Sequence, residues 1–196
     1  MSDSFLIENA RVVLPEAVID GWVAVSDGRI GEGAPPERGN DFGGDLLIPG
    51  LVELHTDHLE SHLTPRPKVR WPVSAAVLAY DAQIVASGIT TVFDSLRVGG
   101  DSDYDVPIDE LMTIAEAISS ARDRKLLRAD HRTHLRCEIC AGDVLERAER
   151  LTARHRVHLI SLMDHTPGAR QFRSLETWKT YYGGKAALQA SEYFGT

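Results

Sequence analysis

The chain has 196 residues, 43% hydrophobic and 26% charged, with a formal charge of −8 at pH 7. This is the balance of an ordinary globular protein, and the acidic excess argues against broad nucleic-acid binding. Its apolar stretches fall well short of the roughly 18 residues needed to span a bilayer, so no membrane role is expected.

The opening "MSDSFLIENARVV" has no basic start leading into an apolar run, and no secretory signal is expected. Two cysteines, Cys137 and Cys140, make no disulfide framework and fit a reducing cytoplasm. "FLIENARVV", "WVAVSDGRI" and "DFGGDLLIP" carry strand-forming residues, punctuated by Asp-Gly, Gly-Gly and "GAPPERGN". They predict a small β subdomain over residues 1–45.

From residue 46 the pattern becomes strand, polar end, helix. "LLIPGLVEL" precedes "SAAVLAYDAQIVASG", whose Val77, Leu78, Ile84 and Val85 suit one helical face. "TTVFDSL" leads to "PIDELMTIAEAISSARDRKLL", with Pro107 suited to a first turn. "RTHLRCEI" leads to "GDVLERAERLTARH", and "RVHLISLMDH" to "SLETWKTYY". Strands alternating with helices predict βα units and a parallel sheet over residues 46–196. The glycine-rich phosphate turns of doubly wound sheets are lacking. Each strand instead stops at a titratable residue, as where barrel strands carry catalytic groups. The expected fold is α/β: the front half of a (β/α)8 TIM-type barrel, about four units of it, behind the β subdomain. A full barrel takes about 250 residues. The chain therefore reads as truncated, or as needing a partner or a second copy to supply the rest.

The strand ends carry the chemistry. In extended chain, residues two apart share a face. His55 and Asp57 then aim into a barrel mouth, and His58 points away unless the backbone turns. An imidazole and a carboxylate together suit Zn²⁺ or a related divalent ion; the bland alternative is a solvated loop. His134, Arg136 and Glu138 share one strand face, with Leu135 and Cys137 on the other. Glu138 either holds a metal or pairs with Arg136 to fill the barrel. Val157, Leu159, Ser161, Met163 and His165 share a face, so His165 would join His55, Asp57 and Glu138 as a ligand. Asp164 falls opposite, suited to a turn cap, and Asp94 either caps a helix or supports the ligands from behind. "TPRPKVRWP" places Arg66, Lys68 and Arg70 beside the first strand's cluster, as a phosphate-bearing substrate would need; a solvated basic loop is the alternative. "DSDYDVP" has Val106 where a calcium loop needs glycine, and no Gly-x-Ser-x-Gly elbow is present.

"IPGLVELHTDH" resembles the segment that opens the barrel of the amidohydrolase superfamily. "HTDHLESHLTPRPKVRWP", "HLRCEI" and "LISLMDHTPGARQF" narrow the resemblance, which runs through essentially the whole chain. They are similar to the diphosphatases that act on ribose 1-methylphosphonate 5-triphosphate in the carbon–phosphorus lyase pathway. The resemblance implies a metal-dependent, cytoplasmic hydrolase that releases pyrophosphate from a phosphorylated small molecule. It also implies a β-sandwich-like subdomain built from both chain termini. By position, it makes His55 and Asp57 first-strand ligands, Glu138 the carboxylate near or between one or two metal ions, zinc being expected, and His165 the fourth-strand ligand. Arg66, Lys68, Arg70 and Arg136 would bind substrate, with His58, Asp94, His134 and Asp164 in support. The superfamily's catalytic aspartate comes from a later strand and is expected beyond residue 196, which implies an inactive chain in isolation. Two other readings are a cyclic amidase or deaminase on the same scaffold and a non-catalytic fragment or scaffold subunit.

Overall fold

The computed structural model describes residues 4–31, 39–66, 68–100 and 106–165, with 174, 176, 177, 179 and 180. The acidic run at 101–105, most of "GAPPERGN", all of "TPGARQF" and four residues of "SLETWKTYY" lie outside the described residues. The chain divides into two units, Met1–Gly50 and Leu51–Thr196.

In the first unit, β1 (Ser4–Val13) and β2 (Val18–Ser26) pair antiparallel, from Ser4 opposite Ser26 to Val13 opposite Val18. Asp27 and Gly28, at φ 51° and 73°, turn the chain into β3 (Arg29–Gly31). Two positive φ angles are what a tight hairpin needs to match strand twist. The short strands β4 (Asn40–Asp41) and β5 (Leu46–Leu47) both lie parallel to β1. The apolar run "LLIPGLVEL" is therefore not one strand. Leu46 and Leu47 join the first sheet, and after Pro49-Gly50 the next strand starts at Leu51.

The second unit runs β6 (Leu51–Thr56), α1 (Leu59–Leu63), α2 (Val73–Ala86), β7 (Ile89–Val98), α3 (Ile108–Asp123), β8 (Asp130–Glu138), α4 (Val144–Thr152) and β9 (Leu159–Met163). Its sheet is parallel throughout, in the order β6-β7-β8-β9. A doubly wound sheet reverses direction at a switch point. This order never reverses, and each βα unit adds its strand on the same side, as in the opening arc of a (β/α) barrel. No helix among the described residues is long and apolar enough to cross a membrane.

One face of the sheet packs on the helices. Val92, Leu96 and Val98 of β7 and Leu135 and Cys137 of β8 are buried against α2, α3 and α4, with Ile114, Ile118 and Leu151 among their partners. Each such aliphatic side chain contributes about 1.5–3 kcal/mol by leaving water. In α2 the expected apolar face is displaced. Val77 and Ile84 are buried together with Ala76, Tyr80 and Asp81, whereas Leu78 and Val85 are exposed. Positions 77, 80, 81 and 84 follow the three- and four-residue spacing of one helical stripe, and Leu78 and Val85 flank it. Pro107 stands one residue ahead of the first turn of α3, at its N-cap.

Candidate active site at the strand ends

Alternation in β7 and β8 sends the other set of side chains to the face opposite the helices. Register pairs Ser95 with His134 and Arg97 with Arg136, and on the next strand Glu138 with Met163. His134, Arg136 and Glu138 thus share the non-helical face, and Arg97 is their neighbour on β7. On β6, the backbone turns helical at His58 (φ −64°, ψ −18°). Asp57 follows the last strand residue, Thr56, and the ring of His58 packs edge-on against His62, 5.4 Å away between centroids.

Four side chains from four strand ends join up around Glu138, which is 8% exposed. Its Oε2 lies 2.7 Å from Nδ1 of His165. Its Oε1 lies 3.5 Å from Nη2 of Arg136 and 3.6 Å from Nε of Arg97. Nη1 of Arg136 donates to Oδ2 of Asp57 at 2.8 Å. One guanidinium thus bridges the carboxylates of Asp57 and Glu138. Arg97 was not among the residues singled out from sequence. Its signal was present, because "TTVFDSLRV" alternates and puts Arg97 on the face opposite the core residues Leu96 and Val98. Glycine at position 99, φ 85°, lets the end of β7 pass the loop after β8: a Cβ there would stand 2.8 Å from that of Ala141.

Deeper on the same face, the rings of His55 and His134 meet edge-on at 5.0 Å, and Nε2 of His134 lies 2.7 Å from Oγ of Ser161. Burial, with the nearby His55 and Arg136, holds the His134 imidazole below its ordinary pKa. The remaining expected site residues are spread out. Arg70 is ion-paired with Glu110 on α3. Arg66 is exposed and bridges backbone to backbone with Val69, and Lys68 is exposed at φ 61°. Asp164 accepts a long contact, 3.5 Å, from Sγ of Cys140. Neither Cys137 nor Cys140 is in a disulfide; the first is buried and the second exposed.

Asp94 faces the helices. Its carboxylate sits 3.0 Å from Nδ1 of His131, whose Nε2 lies 3.3 Å from Oδ1 of Asp81 on α2. Asp81 also accepts the backbone N–H groups of Arg128 and Ala129, at 2.9 and 3.0 Å. All three side chains are 0–1% exposed. Burial raises the Asp94 carboxyl above its ordinary range. For His131, burial opposes charging, but the hydrogen bond and charge of Asp94, with Asp81 behind, leave the imidazole above its ordinary pKa. This cluster from α2, β7 and β8 was not foreseen apart from Asp94.

The rim holds the donor types a divalent ion takes, two carboxylates and an imidazole, gathered with the guanidinium of Arg136. Glu138 and His165 already converge, while Asp57 reaches Glu138 through the guanidinium of Arg136. No group of three His, Cys, Asp or Glu side chains among the described residues is arranged to hold a metal ion; ion pairs occupy the donors. A cavity of about 310 Å³ adjoins this rim, with Asp57, Arg97, Arg70 and Glu110 in its polar wall and Leu111 and Ile114 in its apolar one.

No family model matches the chain. In sequence it is 43% identical over 188 residues to a diphosphatase. That relative is the alpha-D-ribose 1-methylphosphonate 5-triphosphate diphosphatase of Escherichia coli (strain K12). The match takes in 93% of this chain and 50% of the relative, so the chain spans about half the length of the curated protein it matches. Among solved structures, an L-hydantoinase (dihydropyrimidinase) from Arthrobacter aurescens has a TM-score of 0.48 at 17% identity, over 89% of this chain and 36% of that one. An N-acetyl-D-glucosamine-6-phosphate deacetylase from Mycobacterium smegmatis gives 0.44 at 17%, over 84% and 49%. A D-hydantoinase gives 0.42 at 16%, over 80% and 32%.

Proposed function

We propose that these residues form part of a metal-dependent phosphoanhydride hydrolase that removes pyrophosphate from ribose 1-methylphosphonate 5-triphosphate in the cytoplasm. The observation that carries this reading is the 43% identity to the Escherichia coli diphosphatase over nearly the whole chain. In this reading His55, Asp57, Glu138 and His165 hold one or two divalent ions, zinc being the first choice for a carboxylate and imidazole set. When bound, such an ion lowers the pKa of water toward about 7 and offsets phosphoryl charge. Arg136 grips the anionic chain from the rim, with Arg66 and Lys68 on the loop after α1 as further cations. Arg70 contributes less, because Glu110 already neutralises it. Asp57 and Glu138 orient by their negative charge whatever cation they hold. The remaining barrel strands, from a longer polypeptide or a second copy, complete the mouth and supply the general base.

The test is a chimera in which these 196 residues replace the matching segment of the Escherichia coli enzyme. It is expected to release pyrophosphate from the triphosphate substrate in a single turnover, and to stop doing so after chelation. Undiminished release after metal removal refutes the metal reading, and hydrolysis of a cyclic amide in place of the triphosphate refutes the substrate.

A further inference from the structure

Within α2 the only charged residue is Asp81, and it is buried, so the outer side of this helix carries no charge. Ala75, Leu78, Ala82 and Val85 are all exposed, Leu78 at 41% and Val85 at 36%. Their spacing of three, four and three residues makes one apolar stripe along the helix. At 3.6 residues per turn it lies about 150° round from the centre of the buried set, Ala76, Val77, Tyr80, Asp81 and Ile84. The stripe therefore points away from the sheet, and further strands laid beside β6 would leave it bare. A surface helix ordinarily shows polar and charged side chains on that side. A contiguous apolar patch there marks a contact with another protein surface.

We propose that this stripe of α2 is the contact between two copies of the chain, packed antiparallel about a twofold axis. The stripe is its own complement. Its spacing reads the same from either end, with the midpoint level with Tyr80. Turned end over end, a second copy brings its Ala82 opposite Leu78 and its Ala75 opposite Val85. Each large side chain then meets a small one, the condition for facing layers to interdigitate. A twofold contact requires this reciprocity, in which residue i meets j and j meets i. A charge near the axis would face its own image, and the stripe has none. The flank is of mixed sign. A groove of about 670 Å³ along α2 and α3 has Ser74, Thr113, Glu116 and Arg154 in its walls. Glu116 and Arg154 are exposed and stand outside any ion pair among the described residues, so a second copy meets charges that it can complement. The helix has 14 residues and is about 21 Å long. So short a seam covers less than the roughly 800 Å² per partner of a standard interface, which sets the expected Kd at roughly 1–100 µM.

Sedimentation velocity of the 196-residue chain over about 1–200 µM should show a monomer–dimer equilibrium. Leu78→Glu and, separately, Val85→Glu should each weaken the dimer by about tenfold or more, because each places an unpaired carboxylate in the seam. Both side chains are exposed in the single chain, so circular dichroism of the variants should match wild type. Leu78→Ser and Val85→Ser take their place should glutamate impair folding. Orientation is read with cysteines in a Cys140→Ser background. A chain carrying Leu78→Cys, mixed with one carrying Ala82→Cys, should form a mixed disulfide on mild oxidation faster than either forms a disulfide with itself. A wild-type chain that stays monomeric over the whole range overturns the inference. So does a dimer that folded variants at 78 and 85 leave intact, which would place the contact elsewhere, for instance at the strand edges. A mixed disulfide no faster than the single-variant controls overturns the antiparallel twofold arrangement. None of these measurements involves substrate or metal, so their failure is separate from failure of the hydrolase reading.

Discussion

Asp81 shows how much one buried carboxylate can organise. It accepts two backbone N–H groups and faces one nitrogen of His131, while Asp94 faces the other. Ionised carboxylates only accept, and the raised pKa of His131 favours the imidazolium, which donates from both ring nitrogens. Removing Asp81 leaves two backbone N–H groups and Nε2 of His131 without their acceptor. Asp81→Ala should therefore cost about 3–5 kcal/mol of stability, measured by urea unfolding. The pH dependence follows from the direction of the shifts. His131 titrates higher in the fold than in the unfolded chain, so its stabilising share is complete below about pH 6.5 and is lost as pH rises through the folded value. Asp94, also raised, has the same sign, starting from the carboxylate range. The stability gap between wild type and His131→Gln should accordingly narrow from pH 6 to pH 9 in thermal unfolding. A gap that widens over that interval contradicts the assignment. From sequence, Asp81 was readable only as an acid on an apolar helical stripe. Its partners come from residues 94 and 131, and no local pattern encodes that meeting.

At the scale of elements, period-two alternation was fully legible. It put His134, Arg136 and Glu138 on one face and Leu135 and Cys137 on the other, because a strand buried on its helical side repeats that way whatever its neighbours are. What alternation misses is partnership. Leu46 and Leu47 look like the start of the barrel strand, yet they pair with β1; only Pro49-Gly50 hinted at the break. Arg70 looked available for substrate, yet α3 brings Glu110 to it. The end of β7 offers a direct check on element packing. Gly99 combines φ 85° with a neighbour 2.8 Å from any added Cβ. Gly99→Ala should cost about 2 kcal/mol, from backbone strain and the clash with Ala141. A wild-type denaturation midpoint for that variant contradicts the close approach.

For the whole molecule, the connection that matters most is also the side-chain bond that spans the most sequence among the described residues. The bond from Arg136 to Asp57 joins β8 to the end of β6, 79 residues apart, across the intervening β7. Closing so long a loop gains nothing until β7 is in place between its neighbours. The rim should therefore form on the native side of the folding barrier. Arg136→Met is expected to leave the refolding rate of the chain unchanged and to speed unfolding roughly threefold to tenfold, the pattern of a contact absent from the transition state. Stopped-flow refolding that slows in proportion to the lost stability would instead place the contact in the nucleus. On that expectation the strands reach register first and the charged mouth closes afterwards, which would leave residues there open to change with little effect on how fast the chain folds.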